Sequence, residues 1–248
     1  MRTFLVGLFL VLFAIVSIPL YLVEFIIGKI NPHAKVSSSQ FIVSHAMKFI
    51  LKVITNAKVT VKGLENVPKD EPILFVSNHR SYYDILMVYT TTPKLTGFVA
   101  KKEMERIPCI SRWMRYLNCV FLDRDDIRAG LKTILTAIDH IKEGYSVHIA
   151  PEGTRNQGRE MLPFKEGSFK IAQKTGCLIV PVAINNTDKL FENQFPWIRK
   201  ANVSIEYGKP IQLKDLDPED KKHPAPYVQE IIRRMYEANQ TYLDSLEK

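Results

Sequence analysis

His79 and Asp84 have the residue types and the spacing that acid–base chemistry needs. The apolar run 72–77 before them predicts a buried strand, and residues 82–91 after them predict a helix. Within one regular helix, two side chains five positions apart would point about 140° apart, at about 100° per residue. They can meet if His79 precedes the helix and Asp84 lies in its first turn. We therefore predict that the carboxylate holds the imidazole in one tautomer, so that its other nitrogen acts as a base.

A structural role is the alternative for both residues. Ser81 and Asp84 have the S-x-x-D spacing of a capping box, which gives Asp84 a sufficient role at the start of the predicted helix. A histidine near a strand end is often structural as well. This motif alone leaves both interpretations open, so other parts of the chain have to decide between them.

The composition favours an anionic partner. The 248 residues include 34 Lys and Arg against 26 Asp and Glu, a formal net charge of +8. A phospholipid surface or a phosphorylated substrate fits this charge, whereas the sequence has no nucleic-acid motif. Three cysteines, Cys109, Cys119 and Cys177, without C-x-x-C spacing support neither a disulfide framework nor a zinc site. Reduced thiols are typical of a cytoplasmic catalytic domain.

The first 56 residues are more apolar than the rest. Residues 4–27 form an apolar run about long enough to cross a bilayer, and residues 41–54 predict a second, mostly apolar helix after a linker at 30–40. These two helices predict membrane association, either across the bilayer or within one leaflet. If the first helix spans, the lysines after it place the C-terminal side in the cytoplasm. We therefore predict a membrane-associating unit at 1–56 and a catalytic domain at 57–248.

Strands and helices alternate after residue 57, which is typical of an α/β fold with a mixed, largely parallel sheet flanked by helices. We predict strands at 58–62, 72–77, 95–100, 119–122, 145–150, 178–184 and 202–207, the last at a sheet edge. We predict helices at 82–91, 109–116, 126–143, 166–175 and 226–246. Pro181 lies inside a predicted strand and implies an edge, a bulge or a strand end, because proline cannot donate to the sheet ladder.

Three more motifs lie at strand ends, at residues 121–124, 152–155 and 180–183. Gly153 permits a tight turn, and Arg155 beyond it can clamp phosphate oxygens with two parallel hydrogen bonds. Surface ion pairs are the alternative for the arginines, with Glu152 as a partner of Arg155 and the neighbouring aspartates as partners of Arg124. Each motif alone is weak.

Together and in this order, the four motifs resemble those of the glycerolipid acyltransferase family, in particular its bacterial-type 1-acylglycerol-3-phosphate O-acyltransferases. The resemblance covers about residues 59–213, and the apolar N-terminal segment is also typical of the family. Ala150 and Asn156 depart from the residues common beside the third motif. Because they flank the motif, they concern acceptor preference more than activity.

The resemblance implies a glycerolphosphate acyltransferase-like fold with His79 as the general base and Asp84 as the residue that orients it. It also implies that the acceptor hydroxyl attacks an acyl thioester directly, without an acyl-enzyme. The residues that it implies for the acceptor phosphate are Arg124, Glu152, Gly153, Thr154 and Arg155. Lys101, at the end of a predicted strand, is a further phosphate candidate.

The expected reaction is acylation of the sn-2 hydroxyl of 1-acylglycerol 3-phosphate to phosphatidate, at the cytoplasmic face of the cell membrane. The donor is acyl-CoA or acyl carrier protein, between which the sequence does not decide, and neither a cofactor nor a metal is expected. Other acceptors, such as glycerol 3-phosphate or a lyso-aminolipid, remain open. A metal-dependent hydrolase that uses His79 and Asp84 as ligands lacks a third ligand at recognisable spacing, and a non-catalytic lipid-binding relative is the remaining alternative.

Overall fold

A single mixed sheet organises the chain. The computed structural model describes residues 1–156, 158 and 160–246, without the side chain of Ile127. Within this part the strands are β1 Lys58–Lys62, β2 Ile73–Ser77, β3 Thr96–Lys101, β4 Val120–Leu122, β5 Ser146–Ile149, β6 Leu178–Asn185 and β7 Asn202–Tyr207. The helices are α1 Arg2–Ile30, α2 Pro32–Lys48, α3 Tyr83–Thr91, α4 Pro108–Tyr116, α5 Ile127–Lys142, α6 Lys170–Thr175, α7 Pro218–Lys222 and α8 Pro224–Ser245.

The strand order is β1-β7-β6-β2-β5-β3-β4. The five strands from β6 to β4 run parallel, β7 is antiparallel to β6, and β1 is parallel to β7. The predicted mixed, largely parallel sheet is therefore confirmed. Because the five parallel strands share a direction, their carboxyl ends meet at one edge, where α/β proteins bind ligands.

The prediction that residues 202–207 form an edge strand is wrong, because β7 lies between β6 and β1. The proline in β6 is explained by a bulge. Val182 pairs with Tyr207, but Ile179 bridges to Ile211, so two residues of β6 lie opposite three of the partner segment. Pro181 is one of these two, and its missing N–H falls where the ladder is interrupted.

Helices cover both faces of the sheet and define two cores. On one face α2, α3 and α4 bury apolar side chains such as Val43, Met87 and Trp113. On the other face α5, α6 and α8 bury Ile138, Ile171 and others. The strand β2, which lies between both layers, is buried throughout, as its uninterrupted apolar sequence predicted.

The N-terminal helices differ in part from their prediction. α1 is the one helix in the described part that is long and apolar enough to cross a membrane. The predicted linker at 30–40 is wrong, since α2 begins at Pro32 and continues as a π-helix, Phe49–Ile54. The side chain of Asn31 caps α2 by accepting from the Ala34 N–H at 3.0 Å, and proline is favourable at the first helical position.

The hydrophobic core extends across residue 56. Leu51 is fully buried in the core of the first face. The Gln40 amide donates to the Lys94 carbonyl at 2.7 Å and accepts from the Thr96 N–H at 2.8 Å, which ties α2 to the start of β3. The division at residue 56 stays a prediction about function, while α2 contributes to the folded catalytic unit.

Candidate active site

The residue that follows β2 is fixed by side-chain hydrogen bonds to a neighbouring strand. The Asn78 side chain accepts from the Ile184 N–H at 2.9 Å and donates to the Ile184 carbonyl at 2.8 Å. This amide clamp joins the end of β2 to the end of the neighbouring strand β6. His79 is the next residue, so the first side chain beyond the clamp is the predicted base.

The structure brings the predicted pair together. His79 Nδ1 lies 2.8 Å from Asp84 Oδ2, with His79 before α3 and Asp84 in its first turn. If Nδ1 carries the proton and donates it to the carboxylate, Nε2 is left as the acceptor. The geometry is that of an imidazole oriented by a buried carboxylate.

Asp84 caps the helix as well as orienting His79. Its Oδ2 also accepts from the backbone N–H groups of Arg80 at 2.7 Å and Ser81 at 2.9 Å. Its Oδ1 accepts from the buried Thr187 hydroxyl, which lies just beyond β6. The two roles that the sequence offered as alternatives are therefore compatible, because one carboxylate has enough lone pairs for both.

The third motif holds the backbone of His79. Glu152 Oε1 accepts from the His79 N–H at 2.8 Å, and Oε2 accepts from the Leu162 N–H at 3.0 Å. The Asn156 N–H donates to the His79 carbonyl at 2.8 Å. Burial raises the pKa of Glu152, and the hydrogen bonds from the His79 and Leu162 N–H groups oppose this shift. Phosphate binding by Glu152 stays a prediction, while its contacts support a positioning role.

Gly153 has two reasons to be a glycine. Its φ is +75°, in a region that residues other than glycine rarely adopt. A Cβ there would also lie only 2.8 Å from the Lys165 Nζ, because the lysine side chain packs directly against the glycine Cα. Lys165 thus places a cationic group at the turn. Thr154, the next residue, is exposed.

Arg155 is held between a ring and a carboxylate. Its guanidinium lies 3.7 Å from the Tyr82 ring centroid, and Nη1 lies 3.3 Å from Glu192 Oε1. Glu192 also accepts from the Ser81 hydroxyl at 2.6 Å and the Tyr82 N–H at 2.9 Å. The ion-pair partner is thus Glu192 and not Glu152, which the sequence offered as the alternative to phosphate binding. The Arg155 side chain remains 31% exposed, which leaves room for a ligand.

Lys101 and Arg124 form a second group. Both line a cavity of about 180 Å³ at the ends of β3 and β4, where Lys101 pairs with Glu103 at 2.7 Å. Partial burial lowers the pKa of Arg124. Because β3 is the second neighbour of β2, this cavity begins about 10 Å from the His79 strand. The structure therefore divides the predicted phosphate residues between two places on one sheet edge.

A second histidine lies close to the pair. His148 lies on β5, in register with Phe75 of β2. Its ring centroid is 4.5 Å from that of Phe98. Burial, with a smaller contribution from the charge of His79, lowers the pKa of His148 to about 3. Its imidazole is therefore neutral at physiological pH. Among the described residues, no group of three or more His, Cys, Asp or Glu is placed to hold a metal.

Sequence reasoning missed Thr187, Glu192 and Lys165. Thr187 comes just after the end of a parallel strand, so its position was a usable signal. Lys165 lies in a loop and Glu192 begins a short 3-10 helix, and no local pattern indicates their contacts with residue 153 and residues 81–82.

The fold and the site define an α/β protein with a histidine–carboxylate pair at the ligand-binding edge of its sheet. The chain belongs to the Acyltransferase family, which matches residues 58–185. The family expected from the sequence is therefore confirmed.

Individual relatives agree with this assignment. The chain is 30% identical over 197 residues to the 1-acyl-sn-glycerol-3-phosphate acyltransferase of Borreliella burgdorferi, a match that covers 79% of each chain. It is also 30% identical over 181 residues to the Saccharomyces cerevisiae protein of that name, covering 72% of this chain and 59% of that one. The crystal structure of the 1-acyl-sn-glycerophosphate acyltransferase PlsC from Thermotoga maritima is similar with a TM-score of 0.67 and 28% identity, over 91% of this chain and 97% of that one.

Proposed function

We propose that this chain transfers an acyl group from an acyl thioester to the sn-2 hydroxyl of 1-acylglycerol 3-phosphate, which gives phosphatidate for phospholipid biosynthesis. The observation that carries the proposal is the His79–Asp84 contact of 2.8 Å at the end of β2. The names of the bacterial and yeast relatives and of the similar structure support the choice of acceptor.

The reaction needs one base and no covalent enzyme intermediate. His79 Nε2 takes the proton of the acceptor hydroxyl while the hydroxyl oxygen attacks the thioester carbonyl carbon. The C–S bond then breaks, and the thiolate leaves with the proton that His79 returns. The Asp84 carboxylate stabilises the imidazolium that exists between these two transfers. The acyl donor is a thioester substrate of coenzyme A or acyl carrier protein, and no resident cofactor takes part.

Basic side chains around the pair support recognition of the acceptor phosphate. Arg155 follows β5, the neighbour of β2, and Lys101 and Arg124 lie at the ends of β3 and β4, further along the sheet in the same direction. An arginine that is stacked on a ring and partly exposed is already ordered, so it loses little side-chain entropy when it binds a phosphate.

The outward face of α1 supports membrane association. Its exposed apolar residues include Leu8, Leu12, Ile15, Ile18, Leu22 and Phe25. Its inner face packs on the catalytic unit, where Phe13 stacks on Trp113 and the Trp113 indole donates to Ser17 at 2.9 Å. We infer that α1 attaches the catalytic unit to the cell membrane on its cytoplasmic face, where the lipid acceptor is found.

The test is acyl transfer by the purified full-length protein. Lysophosphatidate, glycerol 3-phosphate and a lyso-aminolipid are offered side by side with one acyl thioester, and thiol release and lipid product are both measured. We expect turnover with lysophosphatidate and its loss, by about 10²–10⁴-fold, in a folded His79→Ala variant. A preference for either of the other acceptors would replace the proposed substrate, and near-wild-type turnover by His79→Ala would overturn the base.

A further inference from the structure

Two large aromatic side chains project from one short loop of the catalytic unit. Phe195 is 73% exposed and Trp197 is 60% exposed, in a segment of residues 191–198 that we name the aromatic loop. Single exposed apolar residues are ordinary on protein surfaces, but a tryptophan beside a phenylalanine is a large apolar area to leave in water. Tryptophan favours the water–lipid interface, where the ring is apolar and the indole N–H stays hydrated.

The loop is attached to the start of α1. The Thr3 hydroxyl donates to the Pro196 carbonyl at 3.2 Å and accepts from the Ile198 N–H at 2.9 Å. These two bonds place Phe195 and Trp197 beside the first turn of the apolar helix. Phe4, next to Thr3, is itself 71% exposed. The aromatic loop therefore continues the exposed apolar surface of α1 onto the catalytic unit.

The charge around the loop suits an anionic surface. Arg199 and Lys200 come directly after the aromatic loop, and both are exposed. Basic residues beside interfacial aromatics gain from the negative potential of anionic lipids. A second protein copy offers no such match, because it carries the same net charge of +8.

The other end of the loop contacts the active site. Glu192 lies one residue after Phe191 and accepts hydrogen bonds from Ser81 and Tyr82 at the start of α3. Glu192 also pairs with Arg155. A single short segment thus connects the apolar surface beside α1 with the residues around the His79–Asp84 pair.

We propose that the aromatic loop is a second membrane contact, which inserts Phe195 and Trp197 into the interfacial layer of an anionic bilayer. The proposal rests on the membrane association proposed above and adds a contact made by the catalytic unit itself. It gives a lipid acceptor a short route from the leaflet to the sheet edge, because the inserted loop ends at the active site.

Tryptophan fluorescence tests the insertion directly. The chain has two tryptophans, and Trp113 is buried beneath α1, so full-length Trp113→Phe leaves Trp197 as the reporter. The protein is bound to phosphatidylcholine vesicles with and without phosphatidylglycerol, and flotation measures binding separately. We expect a blue shift, quenching by brominated lipids and protection from acrylamide, all stronger with the anionic lipid.

The outcomes separate this inference from membrane association by α1. Bound protein whose Trp197 emission stays unshifted and open to acrylamide overturns the loop contact and leaves α1 as the anchor. Protein that does not float overturns both proposals. A shift that appears without lipid and grows with protein concentration would instead show contact with a second copy, and would also overturn the bilayer as the partner.

A matched pair of variants tests the functional consequence. Phe195→Ser with Trp197→Ser removes the aromatic side chains, while Leu131→Ser with Leu135→Ser removes two exposed leucines from α5 on the opposite sheet face. We expect the first variant to lose on the order of tenfold in kcat/KM with bilayer-embedded acceptor and little with a short-chain soluble acceptor. Equal losses on both acceptors, or equal losses in both variants, would contradict the proposal.

Discussion

Replacing Asp84 by asparagine separates its catalytic role from its structural one. The carboxylate accepts from four donors, namely the His79 imidazole, the backbone N–H groups of Arg80 and Ser81, and the Thr187 hydroxyl. In Asp84→Asn the amide oxygen can take the place of Oδ2 and keep three of them. The amide NH₂ then faces Thr187, whose hydroxyl can rotate and accept. No buried group loses its partner, so we expect a stability loss of only about 1–2 kcal/mol.

The effect on catalysis should be larger, because the charge is gone. A unit charge pair about 4 Å apart at the effective dielectric constant of a protein interacts with about 4 kcal/mol. Without that attraction the imidazolium of His79 is harder to form, and about 4 kcal/mol corresponds to a loss of about 10³-fold in kcat. The assay is thiol release with saturating acceptor, together with urea unfolding of the same preparations.

Asp84→Ala is the comparison. It leaves the Arg80 and Ser81 N–H groups and the Thr187 hydroxyl without their acceptor, which costs about 1–3 kcal/mol for each buried group. We expect it to be at least about 3 kcal/mol less stable than wild type, whereas Asp84→Asn stays folded and slow. A folded Asp84→Asn within about tenfold of wild-type kcat would refute the orienting role and leave Asp84 as a helix cap.

Three further predictions address binding, pH and the membrane. Arg155→Ala should raise the acceptor KM, and Arg155→Lys should restore it only in part, because an ammonium lacks the planar fork; unchanged acceptor kinetics would make Arg155 a structural ion pair. The pKa of His148 is about 3 in the folded protein and about 6.5 in the unfolded chain, so only the unfolded chain takes up a proton between these values. The free energy of unfolding should therefore be highest above pH 6.5 and fall towards pH 3, with a loss of about 2 kcal/mol at pH 5. His148→Gln should lack that pH-dependent part of the loss in urea unfolding, and an identical pH profile would contradict it. The full chain should resist a high-salt wash of membranes, whereas replacing the exposed Leu12, Ile15 and Leu22 of α1 by glutamine should release it; release of wild type by salt alone would exclude an apolar anchor.

The sequence was sufficient to predict the structure where the local pattern of residue types and the burial of those residues agree. β2 is buried on both faces, so its apolar sequence is continuous and its end, with His79, could be located. The His79–Asp84 contact could be predicted once the helix was placed to begin between the two residues. In both cases the residues that determine the structure are neighbours in the chain.

Prediction failed where the buried residues are polar or distant in sequence. The first turns of α2 were taken for a linker because Ser39 and Gln40, which are buried there, give no apolar periodicity. The edge assignment of β7 failed because its pairing with β1 joins segments about 140 residues apart. Glu192 reaches Ser81 across 111 positions, a contact that no local rule indicates.

The sheet order explains why three of the four motifs, the first, the third and the fourth, meet at one site. β2, with the first motif, lies between β5, which leads to the third motif, and β6, which contains the fourth. The fourth motif supplies no acid, base or cation, and it contributes through residues at the end of β6 and just beyond it. Ile184 holds the Asn78 amide, and Thr187 holds the far oxygen of Asp84. From the other side, Glu152 fixes the backbone of His79. His79 is therefore positioned by the two strands beside its own, so a change that shifts β6 should impair catalysis without touching His79.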